Sequence, residues 1–195
     1  MQVFTAGGDQ QVASLGLGVL QAGRAEVTHG TGSFCIFHSD KVVQDEKTQL
    51  ICNVAAVPGA YIIESSCLTT GAAYDWLLKE FYACTGYAQI NEEIATTPPL
   101  SNGVVVLPHF QGVGAPDWNP QAKGMICNLS LCSKRGDIAR ALLEGIAVDV
   151  ARNLEMIEKA VGQAQVLCLS GGLTNLPAFN QLQADIYNRC TVICS

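Results

Sequence analysis

Val166-Leu167-Cys168-Leu169-Ser170-Gly171-Gly172 is a short apolar run that ends in a glycine turn. The run reads as a strand, and a helix from about Leu176 to Tyr187 follows it, with Pro177 in the one turn of a helix that tolerates proline. Upstream, Ile138, Leu142, Ile146, Val150, Leu154, Ile157 and Val161 recur every three or four residues and form one continuous helical stripe facing a core. A long helix, a strand, a glycine turn and a second helix in that order set the class. It is α/β, with a mixed sheet flanked by helices.

The N-terminal part extends the pattern. Glu26 to Phe37 reads as two strands joined by the tight turn Gly30-Thr31-Gly32. Leu50–Val54 and Ala60–Glu64 are further strands, separated by Pro58-Gly59. Leu68 to Tyr82 is helical, with an apolar face of Ala73, Trp76, Leu77 and Phe81. The stretch from Gly86 to Leu100, containing Pro98-Pro99, reads as irregular. Val104–Leu107 is a strand, and Pro108 to Gly124 is a long loop of the kind that carries function.

At the start of the chain, an apolar strand runs into Gly7-Gly8-Asp9-Gln10-Gln11, and a helix with apolar Val12, Leu15 and Val19 follows. A carboxylate beside bare glycine backbone, just past a strand, can be set as a base against a small substrate. The same residue also reads as a helix N-cap. The turns at Gly7-Gly8-Asp9, Gly30-Thr31-Gly32 and Ser170-Gly171-Gly172 could each aim backbone amides at phosphate oxygens. None matches a P-loop or the spaced-glycine dinucleotide fingerprint.

Composition narrows the partners. The 195 residues carry a net charge of -6, with 11 basic and 17 acidic residues and no basic run, which argues against nucleic acid or an anionic membrane. No apolar stretch reaches the length of a membrane span. The nine cysteines show no CxxC spacing and mostly sit in apolar runs, as buried small hydrophobes do in a reducing cytoplasm. No metal site is expected. Both ends of the chain read as cuts through a longer protein.

Taken together, these motifs resemble the C-terminal domain of the FGGY carbohydrate kinases, a family that includes glycerol, xylulose, gluconate and fucose kinases. Gly8-Asp9-Gln10-Gln11 is similar to the segment that holds the family's catalytic aspartate, and His29-Gly30-Thr31-Gly32-Ser33 to its phosphate-contacting hairpin. Pro108 to Gly124, with Gly114-Ala115-Pro116-Asp117-Trp118, resembles its proline–tryptophan loop. Asp137 to Ala147 resembles the signature helix, and Ser170-Gly171-Gly172 with Gln183-Ala184-Asp185-Ile186 the adenine-side turn and its helix.

The resemblance implies a ribonuclease-H-like fold, as in actin and hexokinase, with ATP and sugar held in a cleft between two domains. Residues 1–195 would form the second domain, truncated at both ends, and the N-terminal kinase domain would be its absent partner. The implied activity is ATP-dependent phosphorylation of a sugar or polyol with Mg2+, the pentulose (xylulose) type being favoured, in a cytoplasmic enzyme compatible with a homo-oligomer. The isolated chain would be inactive. Asp9 would be the base, Asp9 and Gln10 would meet the substrate, and Gly30, Thr31, Gly32, Gly71, Asp75, Gly171 and Gly172 would meet the nucleotide. Asp75 and Leu176 depart from the family pattern, Asp75 standing where a glutamine is usual. The alternative is a relative that senses nucleotide or sugar without catalysis.

Overall fold

The computed structural model describes residues 8–44, 50–83, 86–115 and 117–194. The strand expected before Gly8 lies outside them.

The chain begins with α1 (Asp9–Gly16), then β1 (Arg24–His29), β2 (Ser33–Ser39), β3 (Ile51–Val54), β4 (Tyr61–Cys67) and α2 (Gly71–Tyr82). Next come α3 (Gly86–Thr96), β5 (Val105–Leu107), β6 (Met125–Cys127) and α4 (Arg135–Val161). β7 (Val166–Gly171), α5 (Pro177–Tyr187) and β8 (Cys190–Ile193) complete it.

Six strands form the main sheet in the order β3-β4-β2-β1-β7-β8. The first four pair antiparallel, whereas β1–β7 and β7–β8 are parallel, so the sheet is mixed as expected. One face presents Ala25, Val27, Cys35, Phe37, Ile63, Leu167 and Leu169 to a core shared with α2, α4 and α5. The α4 stripe fills that core: Leu142, Ile146, Val150, Leu154 and Ile157 are all buried.

The structure departs from these expectations, or adds to them, at four places. Gly86 to Thr96 is a helix, α3, not an irregular stretch; Ile90 and Ile94 bury one face, and the helix simply stops before Pro98-Pro99. Prolines block a helix only from their own position back by one turn, so they did not forbid one upstream. Met125–Cys127 is a strand paired with β5 in a separate two-stranded sheet. In α1, Val12 and Leu15 are exposed, and Ser14 is the residue turned inward. The α2 face also shifts: Tyr74 and Tyr82 are buried with Ala73 and Leu77, while Trp76 is half-exposed and packs on Phe81 and Phe110.

Glu144 and Arg152 fasten two loops to α4. Glu144 accepts from Leu100 N and Ser101 Oγ while pairing with Arg140, so it holds the left-handed turn at residues 100–102. Arg152 grips Asp117 through two hydrogen bonds of 2.6 and 3.0 Å. That grip anchors the proline–tryptophan loop, in which Trp118 is 44% exposed.

The opposite face of the sheet holds an acid. Glu26 is fully buried, and among the described residues neither of its carboxylate oxygens has a hydrogen-bond partner. Burial, then the charge of Glu64 two strands away in the same register, push it up from 4.5 to about 7. A raised carboxyl favours the folded state below its unfolded pKa, and the advantage is lost as pH rises through the folded one. Glu26→Gln is therefore expected to gain stability on the native chain between pH 4.5 and 7, by up to about 1.4 kcal/mol per pH unit, in denaturant titrations.

α4 crosses β5 at Gly145, where a Cβ would overlap the Val106 carbonyl. Alanine gains about 1 kcal/mol of helix propensity there, but the backbone overlap outweighs it. Gly145→Ala should cost about 1–3 kcal/mol net in chemical denaturation. Gly16→Ala, which meets nothing within 4 Å, should be neutral or stabilising.

Candidate functional site

The β1–β2 turn, Gly30-Thr31-Gly32, lies against the N-terminus of α2. Thr70 N and Ala72 N both donate to the Thr31 carbonyl, at 3.0 and 3.1 Å, and Gly71 N donates to the Gly30 carbonyl at 3.1 Å. The first amides of a helix have no partners within it, and here the hairpin supplies them. Side chains are excluded from this seam. A Cβ on Gly71 would overlap the Gly30 carbonyl, and one on Gly32 would press on the Cys67 carbonyl. Gly171, with φ +91°, packs on the His29 backbone so closely that a Cβ would overlap its carbonyl.

A cavity of about 440 Å³ opens beside this seam. His29, Gly30 and Thr31 form one edge, Gly71, Tyr74 and Asp75 of α2 the second, and Tyr87 and Asn91 of α3 the third. Gly172, Leu173, Asn175 and Leu176, between β7 and α5, close the fourth. The aromatic wall is ordered by its own bonds. The Tyr74 and Tyr87 rings stack with centroids 6.2 Å apart, Tyr74 OH donates to Asn91 Oδ1 at 2.8 Å, and Tyr87 OH donates to Asp75 Oδ1 at 3.4 Å.

The sequence-predicted residues thus divide into three groups. Gly30, Thr31, Gly71, Asp75 and Gly172 meet around one cavity. Gly32 and Gly171 stand behind it, as the close-packed backbone that lets its edges approach. Asp9 and Gln10 lie outside its lining, in the first turn of α1. Gly8, not Asp9, is the N-cap, and Asp9 is exposed with Oδ1 accepting Gln10 N–H at 2.9 Å. Its charge helps to raise the Glu64 carboxyl, after the effect of burial.

Sequence reading missed His29, Tyr74, Tyr87 and Asn91. Tyr87 and Asn91 are four residues apart on α3, a spacing that would have shown only if α3 had been read as a helix. His29 is the more telling omission. It is fully buried below the turn, with Nε2 2.6 Å from Gln183 Oε1 and Nδ1 2.6 Å from Ser33 Oγ. Ser33 Oγ lies 2.8 Å from Thr70 Oγ1, and Tyr187 OH donates to Gln183 Oε1. One polar chain thereby joins the hairpin, the start of α2 and α5.

The Gln183 carbonyl oxygen can only accept, which favours the proton of His29 on Nε2. Burial pulls this histidine down from 6.5 to about 4, against the smaller opposing effect of the Gln183 bond. The unfolded state therefore takes up a proton between pH 6.5 and 4 that the folded state refuses, and stability falls as pH drops through that window. Acidification from pH 7 to 5 should destabilise the chain by up to about 2 kcal/mol more than the His29→Asn variant, read from urea midpoints at each pH.

Residues 25–194 match the FGGY family of carbohydrate kinases, C-terminal domain. Over 184 residues the chain is 40% identical to a glycerol kinase of Pasteurella multocida (strain Pm70), covering 92% of this chain and 36% of that protein. Among solved structures it superposes on a xylulose kinase from Rhodospirillum rubrum with a TM-score of 0.87 at 28% identity, covering 95% of this chain and 37% of that one. It also superposes on a Plasmodium falciparum glycerol kinase with ADP, with a TM-score of 0.85 at 30% identity, covering 95% and 38%. The chain spans little more than a third of the length of these relatives, and its fold is the actin- and hexokinase-like ATPase fold that they share.

Proposed function

The chain belongs to the FGGY family of carbohydrate kinases, and we propose that it supplies the nucleotide-side wall and the general base of an ATP-dependent sugar or polyol kinase. One observation carries this reading. The Gly-Thr-Gly turn, the α2 N-terminus and the glycine turn after β7, predicted separately, converge on a single cavity large enough for a nucleotide. The substrate-side wall would come from an N-terminal domain, so the chain alone should bind ATP weakly and phosphorylate nothing.

The hairpin geometry supports a division of roles. The amides of Thr70, Gly71 and Ala72 are committed to the hairpin carbonyls, so α2 acts on a bound phosphate through its dipole. Gly30 N is likewise committed, to the Gly32 carbonyl, so direct contacts fall to exposed Thr31, whose backbone amide and hydroxyl are donors suited to phosphate oxygens. Among the described residues no cluster of His, Cys, Asp and Glu could hold a metal by itself. Mg2+ would enter with ATP, coordinated mainly by phosphate oxygens and water, and would offset the charge that builds on the γ-phosphoryl oxygens.

In the transfer, a substrate hydroxyl oxygen bonds to the γ-phosphorus while the bond from that phosphorus to the β–γ bridging oxygen breaks, releasing ADP. Asp9 accepts the hydroxyl proton, and Gln10 offers an amide to a neighbouring hydroxyl. Gln10 Oε1 is buried and lacks a partner among the described residues, an open acceptor in the free state. The acceptor is a sugar or polyol. A pentulose has no advantage over glycerol, because glycerol kinase and xylulose kinase both stand among the relatives. Among the described residues no helix is long and apolar enough to cross a membrane, and we place the enzyme in the cytoplasm.

A coupled ADP-release assay of the intact kinase across glycerol, D-xylulose, L-ribulose, L-fuculose and gluconate tests the reading. ATP binding without turnover on any acceptor would favour the sensor alternative. Asp9→Asn should lower kcat by roughly 10²–10⁴ and leave KM for ATP nearly unchanged. An Asn variant with near-native turnover removes Asp9 from the mechanism.

A further inference from the structure

The charge of the cavity is unbalanced for an anionic ligand. Among the described residues that line it there is no lysine or arginine, and Asp75 is an acid. His29 is the lining residue that can become a cation. It is fully buried below the Gly30-Thr31 turn, and an oxygen faces each ring nitrogen: Gln183 Oε1 lies 2.6 Å from Nε2, and Ser33 Oγ 2.6 Å from Nδ1. Gln183 Oε1 only accepts, so it serves a protonated Nε2. A serine hydroxyl can donate to a bare Nδ1 or accept from a protonated one. Ser33 has both options, because its proton can go instead to Thr70 Oγ1, 2.8 Å away. The chain of partners therefore accommodates a neutral or a charged imidazole without moving a heavy atom.

In the free chain burial keeps this ring neutral, pulling it down to about 4. Its titratable neighbours are Tyr74 and Asp75 of α2, Tyr87 of α3, Tyr187 of α5 and Cys67 of β4. Burial pushes the three phenols and the thiol up, so they stay neutral, which leaves Asp75 as the acid on this side. Opposite charges attract strongly where water is excluded, and phosphate at the turn would favour the protonated ring. We propose that His29 is a conditional counter-charge: phosphate binding at the Gly30-Thr31 turn draws a proton from solvent onto its imidazole, and nucleotide release returns it. The proposal rests on the nucleotide-site reading above and adds a link between nucleotide affinity and pH.

The test counts protons taken up when the intact kinase binds Mg-ADP, by titration calorimetry in buffers of different ionisation enthalpy. The native protein should take up more than His29→Asn, by up to about one proton per nucleotide, and adenosine, which has no phosphate, should show no such difference. Affinity follows the same linkage. A ring whose pKa is raised by the ligand binds it more tightly as pH falls, so native Mg-ADP affinity should gain on the variant by up to about tenfold per pH unit, and the gain should vanish at alkaline pH. Ser33→Ala, which keeps the histidine and removes the acceptor at Nδ1, should take up less than the native protein. A merely structural histidine would lower affinity equally at every pH. Equal uptake and parallel pH profiles in the native protein and its variants overturn the proposal, and so does an uptake that adenosine reproduces. Should His29→Asn fail to fold, Ser33→Ala and adenosine decide the matter alone. A native protein that binds no nucleotide defeats the nucleotide-site reading itself, and the proposal with it.

Discussion

Backbone pressed on backbone is the constraint on which the site depends. The hairpin carbonyls of Gly30 and Thr31 accept three amides from the start of α2. Gly71, Gly32 and Gly171 allow this because each occupies a place where a Cβ would strike a carbonyl. Such contacts leave little slack, since main-chain atoms cannot change rotamer to relieve a clash. The turn, the helix start and the β7 turn consequently behave as one rigid piece, and the cavity inherits its shape from that piece. This explains why glycine recurs at three distant points of the chain: the requirement is mutual.

Polar groups buried on the two faces of the sheet meet opposite fates. Below the turn, His29 is neutral and linked on both ring nitrogens, and its chain of partners reaches α2 and α5. Such a chain rigidifies what it joins, although Gln183 Nε2 at its α5 end is buried with no partner among the described residues. On the other face, Glu26 has no partner among the described residues and feels a second acid, Glu64. The first arrangement holds the site in register at no cost in charge. The second weakens the fold as pH rises.

Much of the architecture was legible because hydrophobic period and glycine turns are local signals. The α4 stripe, the β1–β2 hairpin and the β7–α5 turn all lie where the spacing placed them. What escaped was written in other terms. α3 was masked by Pro98-Pro99, although Ile90 and Ile94 already carried its period. β6 is too short to show one. The inward Ser14 and outward Leu15 of α1 follow from tertiary placement, to which an eight-residue helix is subject more than to its own pattern. At the site, glycines were readable from sequence because their requirement is steric. The braced tyrosine wall was not, since Tyr74–Tyr87 and Tyr87–Asp75 are pairings between two helices. The His29 chain spans 154 residues between histidine and glutamine, a separation across which no local pattern can speak.

The strand order carries a consequence for how the chain is made. β1 lies in the interior of the sheet, yet its partner on one side, β7, follows it by some 140 residues, as the Thr28–Ser170 hydroxyl pair, 142 apart, records. During synthesis, β1 to β4 can zip as antiparallel neighbours soon after they leave the ribosome. Until β7 arrives, however, the flank of β1 remains an open edge of bare amides and carbonyls, with apolar Ala25 and Val27 uncovered beside it. An edge of this kind is a template for pairing with another nascent chain. Closing it is a slow, non-local step, and over that interval assembly competes with aggregation.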